Sequence, residues 1–246
     1  MVGIDVGGTF TDFVSYDPET KKIEVWKNPS TPSDPNDGIL TGLGKFETPG
    51  DIKNLRLGTT IVTNAILERK GATVGYVTTK GFRDIPFIQR GNRRSHYDIT
   101  WIKPKPLVKR RHCYEISERV MANGEVETPL DEAGVRAMAK QIKEEGEIEA
   151  LAVNFLFSYV RPDHEQRVKE ILAEELPDIP VSISFDVMPK WKEYERASTT
   201  IADAYVKPIV SNQVRNIRQR FTENGITDHI VVIKSNGGEM TLEAAE

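Results

Sequence analysis

Val2-Gly3-Ile4-Asp5-Val6-Gly7-Gly8-Thr9-Phe10-Thr11-Asp12 opens the chain, and the rest of the sequence is best read outward from it. Val2, Ile4 and Val6 recur at every second position, the period of a strand with one buried face. Asp5 carries a carboxylate into that strand, and Gly7 and Gly8 then remove two side chains in succession. Thr9 and Thr11 add hydroxyls before Phe13 resumes the apolar pattern. The stretch predicts a strand, a tight glycine turn and a second strand. Amides bared by such a turn bind phosphate oxygens, because no Cβ blocks the approach. Hydroxyls at Thr9 and Thr11 would add donors, and Asp5 suits a hydrated Mg²⁺ or the orientation of a nucleophile. The turn lacks the lysine of a P-loop and does not open a helix as a dinucleotide fingerprint does. Gly-Gly is also an ordinary hairpin turn with no ligand. The strand aspartate and the two threonines favour phosphate.

The 246 residues carry a net charge of −4, so the overall field gives no reason to expect nucleic acid. No apolar run approaches a membrane span, and the first strand starts too early to leave room for a signal peptide. A single cysteine, Cys113, excludes an internal disulfide framework and fits a reducing, cytoplasmic setting. Its neighbour His112 makes too few ligands for structural zinc. A catalytic Cys-His pair or a core cysteine remain the two readings of Cys113.

Ile23 to Trp26 continues an antiparallel meander, and a helix follows through Ile39, Leu40 and Leu43, with Asp34 or Asn36 as its cap. Leu55 to Gly58 predicts a strand leading through Thr59-Thr60 into a helix at Ile61. That helix start is either a second place for an anion or simply a capped end. Another strand covers Thr73 to Thr78. From about 82 to 130 the rhythm breaks into a basic, irregular stretch, which predicts an insertion or small subdomain. A hairpin at Asn123-Gly124 falls inside it. Helices then run from Asp131 and Pro162, alternating with strands at Ala150 to Phe155 and Val181 to Phe185. A long helix follows Glu193, with Pro208 as a kink or boundary. A strand at Ile230 to Ile233 precedes a second glycine turn, Ser235-Asn236-Gly237-Gly238. Strand-helix alternation after a meander predicts an α/β fold built on a mixed sheet with helices on both faces.

Four stretches in order, Ile4 to Asp12, Gly58 to Ala65, Tyr194 to Thr200 and Lys234 to Gly238, resemble the N-terminal part of the hydantoinase A/5-oxoprolinase family. Gly81 to Asp84, Gln89 to Gly91 and Tyr97-Asp98 are similar to it as well. The resemblance implies an actin-like ATPase (ribonuclease H-like) lobe spanning 1–246, with a C-terminal ATP-binding lobe and its second phosphate loop not found in this sequence. It implies ATP-dependent opening of a cyclic amide, a lactam or hydantoin, by phosphorylation of the amide oxygen. In that frame Asp5 is the catalytic carboxylate and holds Mg²⁺ through water. Gly7, Gly8, Thr9 and Thr11, with Thr59 and Thr60, contact the phosphates of ATP. The remainder of the chain or a second, hydantoinase B-type subunit completes hydrolysis, and the protein is expected to be oligomeric.

Substrate contacts are less constrained. Arg90, Arg93, Arg94, Glu195 and Arg196 are candidates because charged groups beside an apolar edge bind a polar ring. Charged residues of this kind more often form ordinary surface ion pairs. Two alternatives stay open: another enzyme of the same fold, such as an acetone-carboxylase-like subunit or a small-molecule kinase, and a non-catalytic interaction module.

Overall fold

The computed structural model describes residues 1–31, 35–46, 52–91, 97–226 and 230–245. Asp34, one of the two expected helix caps, lies outside them, as do Arg93 and Arg94. The chain divides into two compact units, Met1–Lys70 with Ile209–Glu246, and Gly71–Pro208.

In the first unit the opening meander forms as predicted, with β1 (Val2–Val6), β2 (Phe10–Tyr16) and β3 (Ile23–Pro29). It is followed by α1 (Pro35–Leu43), β4 (Leu55–Thr59) and the seven-residue α2 (Ile61–Leu67). After the second unit come β11 (Ile230–Ile233), β12 (Glu239–Thr241) and α8 (Leu242–Ala245). Among the described residues the strands form one six-stranded sheet in the order β12-β11-β4-β1-β2-β3. β1 is antiparallel to β2 and parallel to β4, and β11 is also parallel to β4.

The period-two pattern decides which face is buried. Val2, Ile4 and Val6 join Leu55, Leu57 and Val232 in one core. Ile39 and Leu43 of α1 and Leu242 of α8 pack into it, as do Val214, Ile217 and Phe221 of the long helix α7 (Glu193–Glu223). Asp5, Asp12, Val14 and Val25 project to the other side and are exposed. α1, α8 and the part of α7 beyond Pro208 cover the Val2–Ile4–Val6 face of this sheet.

The second unit does carry helices on both faces of its sheet. β5 (Val74–Thr79), β6 (Cys113–Ile116), β9 (Ala150–Asn154) and β10 (Val181–Ile183) run parallel in the order β10-β9-β5-β6. Every residue of β5 and β9 is buried, as expected for continuous apolar strands covered on both sides. α4 (Glu132–Glu145) and α5 (Asp163–Glu175) pack Val135, Ile142, Val168 and Ile171 against Val77, Leu151 and Val153. Asp131 caps α4 by accepting from the Gly134 amide at 2.9 Å, as the sequence predicts, and Gly146 ends it in the left-handed conformation at φ 63°. The opposite face meets α7 as far as Pro208. There Ser182 donates to Asp203 at 2.6 Å, and Ala72 N–H bonds the Tyr205 carbonyl at 2.9 Å.

Residues 82–130 lie within the unit Gly71–Pro208. They supply α3 (Ile85–Ile88), the edge strand β6, and the hairpin β7 (Arg119–Val120) and β8 (Val126–Thr128). β5 pairs in parallel with both β6 and β9, which joins this stretch to the rest of the sheet. α7 continues through Pro208, and the boundary between the units falls there.

Candidate functional site

The glycine turn is closed by the Gly7 amide donating to the Phe10 carbonyl at 3.1 Å. Ser30, just after β3, fastens it from behind. Its amide donates to Thr9 O at 2.9 Å and its hydroxyl to Gly7 O at 2.8 Å. Thr11 is fully buried, with its hydroxyl 3.0 Å from Ser30 Oγ. The reading of Thr11 as a phosphate contact is corrected: strand alternation turns it inward beside Val6, where it braces Ser30. Ser30 itself went unnoticed in the sequence, since a serine in a Pro- and Asp-rich loop carries no periodic signal.

The Gly7, Thr9 and Phe10 carbonyls are thus used, while the Gly8 and Thr9 amides are not. Gly8 and Thr9 are exposed, and among the described residues no protein acceptor takes either amide. A Cβ on Gly7 would sit 2.9 Å from Phe10 O, so this glycine is needed for closure. A Cβ on Gly8 would meet nothing nearer than Asn64 Nδ2 at 3.9 Å, so the space over it is open. The Gly58-Thr59-Thr60 turn ends the neighbouring parallel strand at the same sheet edge, with Thr59 in register with Val6. Thr59 Oγ1 accepts from the Ile61 amide at 3.2 Å, and Asn64 donates to Thr60 Oγ1 at 3.3 Å. Ends of adjacent parallel strands are where α/β sheets gather ligands.

Asp5 lies one residue pair back from the turn, between Asp12 on β2 and Gly58 on β4. A Cβ at position 58 would come within 3.2 Å of its Oδ1, so glycine there keeps the carboxylate uncrowded. Asp12 has Lys27 at 3.8 Å, a pairing between exposed groups that adds little. A cleft of about 460 Å³ runs over this face, lined in part by Gly3, Asp5, Asp12, Arg56 and Gly58.

The substrate candidates belong to the second unit. Arg90 and Glu195 pair with each other, and the guanidinium holds the Glu195 carboxyl below its usual range. Arg196 is corrected: it is fully buried and donates to Asn154 Oδ1 at 2.8 Å, Phe155 O at 2.7 Å and Lys190 O at 3.1 Å. Its ring neighbour Tyr159 lies 5.1 Å away. A guanidinium committed in this way ties α7 to the end of β9 and is not free for substrate. Buried Glu165 is similarly committed, accepting from the Phe155 and Phe185 amides and from Ser184. Burial raises its pKa. The Cys113 thiol is pushed up to about 12 by burial and faces Lys109 O at 3.6 Å, so it is a core cysteine rather than a nucleophile.

Among the described residues no three His, Cys, Asp or Glu side chains gather to hold a metal. No described helix is long and apolar enough to cross a membrane.

Comparison with known proteins fits this arrangement. Residues 1–176 match the model of the hydantoinase/oxoprolinase N-terminal region, and residues 196–246 that of hydantoinase/oxoprolinase. The chain is 35% identical to caprolactamase subunit alpha of Pseudomonas jessenii, over 96% of the chain and 35% of that protein. It is 32% identical to the 5-oxoprolinase of Saccharomyces cerevisiae, over 96% of the chain and 22% of that protein. The crystal structure of the ATP-dependent caprolactamase from P. jessenii superposes with a TM-score of 0.86 at 34% identity, covering 97% of this chain and 36% of that one. A nucleotide-free acetone carboxylase structure gives 0.87 at 28% identity, covering all of this chain and 37% of the other. The chain thus spans about a third or less of the length of these relatives. The backbone agreement carries the actin-like ATPase-type fold expected from the motifs, and the chain belongs to the hydantoinase/oxoprolinase family.

Proposed function

We propose that the first unit holds the terminal phosphates of ATP at the Gly7-Gly8-Thr9 turn, in a protein that uses ATP to open a cyclic amide. The observation that carries this is the pair of unclaimed amides, Gly8 and Thr9, at an open turn beside the exposed Asp5. The relatives named as caprolactamase and 5-oxoprolinase support the cyclic-amide part.

An amide resists water because resonance stabilises it. Moving the γ-phosphoryl group to the amide oxygen, with ADP leaving, makes the carbon open to attack by water. The ring C–N bond then breaks, the nitrogen takes a proton, and a second water releases inorganic phosphate from the acyl phosphate to leave the ring-opened carboxylate. Such a transfer depends on positioning and charge neutralisation. Gly8 and Thr9 donate to the phosphate oxygens in this scheme, and Ser30 with Thr11 keeps their amides aimed outward. Thr59 and Thr60, at the same sheet edge, border the phosphates. Asp5 supplies one carboxylate and Asp12, across from it, a second, the donor set that Mg²⁺ takes up alongside phosphates. Mg²⁺ bound there would neutralise phosphate charge. Arg90 and Glu195 are assigned to the substrate side on sequence grounds. Completion of the reaction is assigned to the rest of the protein or to a partner subunit, in line with relatives named as alpha, beta and gamma subunits, and the setting to the cytoplasm.

The acetone carboxylase superposition favours one second reading, in which the same ATP site activates a substrate for carboxylation. Product analysis separates the two. Ring opening without bicarbonate supports the hydrolase, and strict bicarbonate dependence supports the carboxylase. For the site itself, Asp5→Ala in the full-length protein is expected to abolish ATP-coupled turnover while leaving the fold intact. Turnover at the wild-type rate would remove Asp5 from the mechanism.

A further inference from the structure

The second unit has a groove that the nucleotide reading does not use. It holds about 390 Å³, within the range of small-molecule pockets, about 300–1,000 Å³. Its apolar lining includes Phe82, Ile85, Leu156 and Phe157. Leu156 and Phe157 follow the C-terminal end of β9, the end of a parallel sheet at which ligands collect.

Two charges of opposite sign border this apolar lining, Arg119 from β7 and Glu193 from the start of α7. The Arg119 guanidinium lies 5.3 Å from the centre of the Phe82 ring, a placement that leaves its donor edge for another group. Among the described residues neither Arg119 nor Glu193 forms an ion pair, although the neighbouring Arg90 and Glu195 do. Both groups are partly exposed, so each charge is accessible to a solute in the groove.

The backbone around the groove is also held in an uncommon conformation. Gln89 and Phe157, both lining it, have φ of 57° and 56°, and Lys192, next to Glu193, has φ of 80°. A bulky residue such as phenylalanine rarely adopts the left-handed region, and such strain gathers at ligand sites.

We propose that this groove binds a small zwitterion with an apolar body, an amino acid whose carboxylate meets Arg119 and whose ammonium meets Glu193. One cation, one anion and an apolar lining fit that chemistry, and a neutral hydrocarbon or a mono-ion would leave at least one charge unmatched. The inference stands apart from the nucleotide reading, since all the groove residues lie in Gly71–Pro208.

The test is titration of the 246-residue chain, without nucleotide, with 6-aminohexanoate, hexanoate and hexylamine. Calorimetry gives the affinities, and assigned NMR spectra show which residues respond. The zwitterion is expected to bind at least tenfold more tightly than either mono-ion, shifting Phe82 and Phe157. Arg119→Gln should cut its affinity at least tenfold and leave hexylamine unaffected. Glu193→Gln should do the converse, sparing hexanoate. Circular dichroism establishes that each variant is folded. Equal affinities for the three compounds, shifts confined to other residues, or no saturable binding by folded wild-type protein would each overturn the proposal.

Discussion

The two sheets of this chain place polar groups at their strand ends in opposite ways. In the second unit, Thr79, Glu118, Asn154, Glu165, Ser184 and Arg196 are buried and bonded to one another or to nearby backbone. In the first, Gly8 and Thr9 stand open with free amides, and Asp5 faces solvent. Polar chemistry satisfied internally stabilises a fold, whereas polar chemistry left unsatisfied at an exposed turn is available to a ligand.

The sharpest way to break this contrast is to remove a member of the closed network. Arg196→Met leaves Asn154 Oδ1 and the Phe155 and Lys190 carbonyls without their donor. Loss of a committed buried charge of this kind is expected to cost about 3–5 kcal/mol, read by urea unfolding. A loss under about 1 kcal/mol would mean that the guanidinium is not structural and would return it to the substrate candidates. Cys113 probes the same closure. With its pKa raised from 9.0 to about 12, the folded thiol carries about a thousandfold less thiolate at pH 8, and disulfide reagents should label it about a thousandfold more slowly than the unfolded chain. The sign for stability follows: this contribution is complete below about pH 9 and is lost as pH rises toward 12. Labelling at the rate of a free thiol would show that the second unit is not shut there.

Much of this was legible in the sequence, and what was missed has physical causes. The meander, the Asp131 cap, the Asn123-Gly124 hairpin and the Pro208 boundary come from local rules of period, capping and turn chemistry, which act within a few residues. The parallel pairing of β5 with β6 and β9 was not legible, because it joins residues far apart in the chain. Arg196 and Thr11 looked available because an arginine or threonine in one dimension shows no burial. Only the partners supplied by Asn154, Phe155 and Ser30 reveal it.

At the open turn the expected effects fall on binding rather than on folding. Gly8→Ala should leave the unfolding midpoint in place, since its Cβ meets open space, yet weaken ATP binding at least tenfold, about 1.4 kcal/mol. Gly7→Ala should lower both, because its Cβ crowds Phe10 O. Identical behaviour of the two variants would erase the distinction between closing residue and contact residue. The smallest effect is expected from Arg90→Ala, which breaks an exposed ion pair with Glu195 and should change stability by no more than about 1 kcal/mol.

The central claim is that two backbone amides grip phosphate, and amide NMR of the ¹⁵N-labelled chain reads it directly. Titration with ATP and Mg²⁺ should move the Gly8 and Thr9 resonances saturably, while adenosine leaves them in place. If both amides stay unmoved as ATP saturates another part of the protein, the turn is only a hairpin.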